Sequence, residues 1–288
     1  MFTSPQTALI VGATGFIGKF LVARLLRDNA RVFALCRNIN EQPHKLRSWL
    51  TQQGIDYRQL SFIQGDVTLP HLGLSPQDWE TLKEVNYLYN TSALFKWNLS
   101  MEQAKAVNVD GLTNLLHSVC KHCHLERAIH LSGYMLTLDK HLQAAGIYRK
   151  NIEKTDWPKI YDKLGAYEAS KIQGHFNWIK QADTLNIPWT VIHPATVIGD
   201  EMSGEIPANQ PIATLIQQLK QRKMKALPGT PQHSPPLVSV TMLVNAIFHA
   251  GKDTQTLKQE ILVANPEQLS LQTLVSIIAN AIQVKAPH

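Results

Sequence analysis

The chain has 288 residues and 44% apolar side chains, enough to bury one large core or a core with a smaller lobe. No apolar run approaches the roughly 20 residues of a membrane span. The net charge of +6 is spread along the chain, which suits a solvated surface or one attracting phosphorylated or acidic partners, and no nucleic-acid partner is expected.

The first element is the most informative. Ala8–Val11 is a short apolar run that enters a G-x-x-G-x-x-G turn at Gly12, Gly15 and Gly18. A helical pattern follows over Phe16–Arg27, with Phe20, Leu21, Leu25 and Leu26 on one face. Strand, glycine turn and helix form a dinucleotide-binding signature: glycine lets the main chain approach the ligand, and a helix N-terminus offers N–H groups to a pyrophosphate. Gly12, Thr14, Gly15, Phe16, Ile17 and Gly18 are the expected contacts. Because Thr7–Val11 runs straight into this turn, it reads as a core strand rather than a signal peptide, and a cytoplasmic location is expected.

Further strand-like runs are Val32–Leu35, Leu60–Ile63, Val85–Tyr89, Ala128–Leu131 and Trp189–Ile192, with helical patterns between them that include Met101–Cys123 and Tyr161–Thr184. This alternation predicts an α/β fold: a Rossmann-type, doubly wound parallel sheet with ligands outside the carboxyl ends of its strands. After the second run comes Arg37, and no acid lies between Ala30 and Asn40. An acid there would favour NAD, whereas a guanidinium grips a 2′-phosphate, so NADP is the expected cofactor. Asp66 and Val67 follow the third run, where the carboxylate either meets an adenine amino group or caps a turn. Ser92 and Ala93 follow the fourth and are expected beside the cofactor.

Three cysteines exclude a disulfide framework and fit a reducing compartment. Cys120 and Cys123, with His122 and His124, form a ligand-rich stretch, but no second C-x-x-C completes a zinc set, so no metal is expected. Tyr167 and Lys171 are four residues apart in a helical pattern and share a face. A nearby ammonium favours the phenolate, which turns the phenol into a usable proton donor or acceptor. Ser132 ends the fifth strand run.

Beyond Gly199 prolines divide the chain, and helical patterns remain at Ile212–Lys220, Thr241–Ala250 and Ser270–Ile282. The expected division is a dinucleotide-binding core over 1–198 and a small substrate lobe over 199–288, with segments returning to the core. The basic run Lys220–Lys225 is either a solvated helix end or a site for an acidic arm such as that of coenzyme A or an acyl carrier.

Taken together, "GATGFIG", "GDV", "VNVDGLTNLL", "HLSG", "YEASK" and "HPATVIGD" resemble the extended short-chain dehydrogenases/reductases over nearly the whole chain. "GDVTLPHLGLS", "HPATVIGDEMSGE" and "PLVSVTMLVNAI" resemble the thioester and fatty acyl reductase branch. The resemblance implies NADPH-dependent reduction of an acyl thioester or aldehyde. Tyr167 would be the general acid, and Lys171 would hold the nicotinamide ribose. Asn108 would kink its helix and serve a proton relay, and Pro194, Thr196 and Val197 would line the nicotinamide pocket. It also makes a homodimer an expectation, and it leaves open that the chain is one part of a longer assembly. Two departures stand out. Gly133 occupies a position where the family usually has a second hydroxyl, leaving Ser132 to serve. His193 stands where Arg is frequent and reads as a core histidine. The alternatives are a sugar-nucleotide or small carbonyl/alcohol oxidoreductase or epimerase on the same fold, and a catalytically impaired NADP(H)-binding regulator.

Overall fold

In a computed structural model, which describes residues 6–92, 100–207, 210–224, 226, 230 and 232–287, the strands are β1 (Thr7–Val11), β2 (Arg31–Cys36), β3 (Leu60–Gln64), β4 (Tyr87–Asn90), β5 (Arg127–Leu131), β6 (Trp189–Pro194), β7 (Thr196–Val197), β8 (Leu237–Val238) and β9 (Gln259–Val263). The helices are α1 (Phe16–Arg27), α2 (Gln42–Gln52), α3 (Pro76–Leu82), α4 (Met101–Lys105), α5 (Gly111–His122), α6 (Asp139–Ala145), α7 (Trp157–Thr184), α8 (Pro211–Lys220), α9 (Val240–Lys252) and α10 (Leu271–Ala281). Among the described residues no helix is long and apolar enough to cross a membrane.

The chain divides into two compact units, Met1–His193 with Val244–Ile261, and Pro194–Leu243 with Leu262–His288. The first break therefore falls at His193/Pro194 rather than after residue 198, and the returning segment is Val244–Ile261.

The main sheet runs β3-β2-β1-β4-β5-β6-β9. Pairings from β3 through β6 are parallel, with Val11 opposite both Leu35 and Asn90. Strand order reverses between β1 and β4, and the crevice at their carboxyl ends is where such sheets take ligands. β1 is buried along its length, as a strand covered on both faces must be. Its Leu9 and Val11 join Leu115 and Leu116 of α5 and Trp178 of α7 in one core cluster. α1 packs against β1 and β2 but adds nothing to that cluster, so it covers the opposite face. In the second unit β7 and β8 pair in parallel, and Asp200 accepts from Thr241 Oγ1 at 2.6 Å and Ser203 N at 2.7 Å.

Two expected helices differ in detail. Met101–Cys123 is divided: α4 and α5 are joined by a π-helical turn over Ala106–Asp110. Helix α7 begins at Trp157, where Asp156 caps Lys159 N, and breaks at Gly165, whose φ of 78° is left-handed. The π turn and α7 meet through glycine: a Cβ on Gly174 would lie 1.9 Å from the Asn108 carbonyl oxygen. The wider turn thus pushes a carbonyl into the facing helix at a point where only a hydrogen can stand.

Arg127, at the start of β5, is buried. It donates to Thr190 Oγ1 at 2.9 Å, Thr256 Oγ1 at 2.8 Å, and the carbonyls of Ala250 and Asp253, each at 3.1 Å. Every acceptor is neutral, and three of the four lie in the returning segment.

Gly174→Ala forces α7 off the π turn and is expected to lower stability by about 1–3 kcal/mol, the usual cost of overpacking. Chemical denaturation of the variant beside the native chain measures this.

Candidate active site

The carboxyl ends of β1 to β4 enclose a cleft of about 250 Å³ lined by Gly12, Thr14, Gly15, Arg37, Asp66, Val67 and Ser92, together with Val11, Leu35, Gln42, Gly65, Thr91 and Val107. The first seven are sequence-predicted contacts. A larger depression, about 470 Å³ against Pro70, His117 and Cys120, holds none of them.

Glycine shapes the cleft floor. Gly12 has φ +85°, and a Cβ there would lie 2.8 Å from Ser92 N. A Cβ on Gly18 would lie 2.0 Å from the Gly12 carbonyl oxygen, so α1 starts directly against the turn. Gly15 is the N-cap of α1, with no side-chain cap and no acid in the first turn. The amides of Phe16, Ile17 and Gly18 therefore face an anion-binding position.

Around this floor the second loop is ordered by its own polar groups. Gln42 Nε2 donates to Thr14 Oγ1 at 3.2 Å and Asn38 N donates to Gln42 Oε1 at 3.1 Å. Arg37 is exposed, and among the described residues it pairs with no carboxylate. Lys19 lies over the Trp49 ring at 4.7 Å, and over Phe16 and Phe20. Asp66 Oδ1 caps its turn, accepting from Thr68 N at 2.9 Å and Thr68 Oγ1 at 2.8 Å, and the residue also lines the cleft. Ala93 lies outside the described residues.

At the far side of the same unit, Tyr167 and Lys171 stand in the first turns of α7 after its break at Gly165. Lys171 Nζ donates to the Leu131 carbonyl at 3.4 Å, which brings it beside the end of β5. Burial pushes its ammonium down to about 8. Burial also raises the Tyr167 phenol above its ordinary value. This direction is opposite to the one expected from the neighbouring cation, because burial penalises the phenolate. Asn108 Nδ2 donates to Ser170 Oγ at 3.0 Å, and Ser170 Oγ donates to the Tyr167 carbonyl at 2.9 Å. The π turn is thereby tied to the backbone that carries Tyr167.

Ser132 Oγ lies 3.3 Å from His175 Nδ1. His175 is four residues beyond Lys171, on the face that Tyr167 and Lys171 share, and helical spacing alone could have found it. His193 places Nδ1 2.9 Å from the Gly133 carbonyl and Nε2 2.8 Å from Glu260 Oε2. Glu260, on β9, has no such signal in the sequence. Among the described residues, His175, His193 and Glu260 form a group of metal-capable side chains. Neither Cys120 nor Cys123 belongs to it, and burial pushes the Cys123 thiol up to about 12 while it donates to the Leu82 carbonyl. Gly133 is extended (φ −153°), and a Cβ there would meet only the Met135 sulfur, at 2.8 Å. Its lack of a hydroxyl is not imposed by the backbone. Pro194, Thr196 and Val197 belong to the second unit, Thr196 and Val197 forming β7.

This order of strands, glycine turn and Tyr/Lys helix is that of the extended short-chain dehydrogenases/reductases. The chain belongs to the NAD-binding male sterility protein family, whose model matches residues 10–247, and with it to the thioester reductase branch. It is 23% identical over 293 residues to the fatty acyl-CoA reductase wat of Drosophila melanogaster, covering 90% of this chain and 56% of that protein. It is 27% identical over 218 residues to the probable polyketide synthase 6 of Dictyostelium discoideum, covering 70% of this chain and 7% of that one. The fold matches the terminal R domain of the myxalamid PKS-NRPS biosynthetic pathway with a TM-score of 0.75 at 22% identity, over 94% of this chain and 68% of that one. The chain thus spans little more than half of one curated relative and a small fraction of the other.

The cleft fits a nicotinamide dinucleotide, since two of its glycines stand where a Cβ would strike main chain. Gly18→Ala displaces α1 from the Gly12 carbonyl and is expected to weaken dinucleotide binding about ten-fold or more. Titration followed by nicotinamide fluorescence measures the loss.

Proposed function

We propose that this chain is an NADPH-dependent reductase of acyl thioesters or aldehydes. The observation that supports the reading is Lys171, one helical turn beyond Tyr167, with its Nζ against the Leu131 carbonyl next to Ser132 at the end of β5, in a sheet whose neighbouring strand ends form the dinucleotide cleft.

Gly12, Gly15 and the first turn of α1 would hold the pyrophosphate, and Arg37 would take the 2′-phosphate through charge-assisted bonds. Bound there, the cofactor supplies a hydride. Tyr167 donates its proton to the substrate oxygen as negative charge develops on it. A phenol raised by burial remains protonated at neutral pH, as a donor must. Lys171 supplies positive charge beside the ribose position and the phenol. Ser132 adds a hydroxyl at the same oxygen. The acyl thioester class is supported by the fatty acyl-CoA reductase and polyketide synthase relatives. A coenzyme A or acyl carrier arm is the corresponding partner.

Turnover is tested with NADPH and NADH against acyl-CoAs, aldehydes and sugar nucleotides. Tyr167→Phe is expected to lower kcat about 10²–10⁴-fold while NADPH binding is kept. Arg37→Ala is expected to weaken NADPH but leave NADH unchanged. Equal rates in the Phe variant remove Tyr167 as the acid, and an unchanged NADPH affinity in the Ala variant removes the phosphate contact. Turnover of sugar nucleotides alone would favour the epimerase-like alternative, and binding without turnover the regulatory one.

The pH dependence has a definite sign. Lys171 is charged below about 8 and neutral above it. Reduction should therefore decline as pH rises through about 8, well before Tyr167 ionises. The profile of kcat/KM, which reports the free enzyme, checks this, and a flat profile from pH 7 to 9 would exclude Lys171 as the controlling group.

A further inference from the structure

The Ser132 hydroxyl is not isolated behind the site. It sits at one end of a chain of polar groups that runs through His175 to Glu260 at the edge of the sheet. His175 is fully buried; its Nδ1 is 3.3 Å from Ser132 Oγ, and its Nε2 is 3.2 Å from Glu260 Oε2. The second approach is bent, so Nε2 has a close carboxylate but no well-aligned hydrogen-bond partner. The same carboxylate oxygen takes His193 Nε2 at 2.8 Å, and Glu260 Oε1 is 3.4 Å from Arg149 Nη1. Burial opposes the charge on Glu260, but the close approach of His175, the bond with His193 and the charge of Arg149 outweigh it and hold the carboxyl well below its usual range. The cluster reads as a hydrogen-bonded network rather than a cage for an ion. Ligands of a tetrahedral zinc with bonds of about 2.0–2.1 Å stand roughly 3.3 Å apart, wider than the closest contact here.

The proton inventory follows from what each nitrogen faces. Both His193 nitrogens face acceptors, a carbonyl and a carboxylate, an arrangement that only a doubly protonated ring satisfies in full. His175 faces a carboxylate with Nε2, which puts a proton there. With one proton on the ring, Nδ1 is bare and the Ser132 O–H must point at it, leaving only lone pairs towards the site. With two protons, Nδ1–H donates to Ser132 Oγ, and the serine proton turns outward. A carbonyl being reduced needs a donor at its oxygen, so only the second arrangement serves the reaction.

We propose that His175 and Glu260 set the direction of the Ser132 hydroxyl, making it a donor to the substrate oxygen when His175 carries both ring protons. Both are positioning residues that act through Ser132, and the inference rests on the reductase reading above. The titratable groups that interact with His175 are Glu260, His193, Arg149 and His130. The buried ring is lowered by desolvation, with Glu260 opposing and His193 and Arg149 assisting. His130 in turn interacts with Lys171, His175 and His193. Reduction should therefore gain a second rise on the acid side, below the ordinary histidine range.

The test pairs kinetics with ¹⁵N NMR of His175 in the full chain. In the native protein the neutral ring should carry its proton on Nε2, and its titration should coincide with the acid-side rise in kcat/KM. Glu260→Gln should move titration and rise together to lower pH and lower kcat at neutral pH about ten-fold, with NADPH affinity unchanged. Ser132→Ala should remove the rise while His175 still titrates, and Glu260→Gln should cost nothing further in that background. Losses from Glu260→Gln and Ser132→Ala that multiply, a rate limb that stays put in Glu260→Gln, or a native His175 protonated on Nδ1 when neutral would each overturn the proposal. The last measurement needs no variant to fold. Failure of the reductase reading looks different: no turnover, with the His175 titration still shifted by Ser132→Ala.

Discussion

The site depends on one close approach of main chain to main chain. The Gly12 carbonyl stands where the Cβ of residue 18 would be, so the first turn of α1 rests directly on the end of β1. Because β1 is at the centre of the sheet, beside the reversal of strand order, this contact points the helix dipole and its amides into the crevice. Any other residue at position 18 would separate strand from helix and turn the dipole away. The neighbouring strand ends at Arg37, Asp66 and Ser92 are useful because this floor is fixed.

A second approach of the same kind organises the opposite half. Gly174 lets α7 ride against the Asn108 carbonyl, where the helix before α5 has widened into a π turn. The bonds from Asn108 to Ser170 and from Ser170 to the Tyr167 carbonyl then hold the start of the second α7 segment. Tyr167 and Lys171 thus stand on a helix segment fixed from both sides. Their burial moves both titrations toward the neutral forms, a phenol that keeps its proton and an amine near 8. Solvent-exposed residues at the same helical spacing would not share this property.

What could be read from the chain was what repeats locally. Strand and helix periodicity located β1 to β6 and the ends of α1 within a residue or two; the glycine spacing located Gly12, Thr14 and Gly15 of the cleft lining, and the strand ends located Arg37, Asp66, Val67 and Ser92. Asp66 illustrates the limit: its sequence position fits both an adenine contact and a turn cap, and it took the folded chain to show its Oδ1 capping the turn at Thr68 while the residue lines the cleft. Lys19 lies over aromatic rings of α1 and α2 that no local rule brings together. The direction of the Tyr167 shift was missed because spacing gives the neighbouring charge but not the depth of burial. Glu260 was missed altogether, since it reaches the Ser132 network from a strand about 130 residues further on, a pairing made by tertiary structure alone.

Arg127 gives the fold a direction in time. Its cation is buried among acceptors that come chiefly from the carbonyls of Ala250 and Asp253 and the hydroxyl of Thr256. A chain emerging from the ribosome makes β1 to β6 long before it makes those acceptors. Until residue 256 is available, closing the sheet around β5 would strand a guanidinium in a place that water has left. The nascent core therefore has reason to stay open at β5 and to close late, when the returning segment arrives.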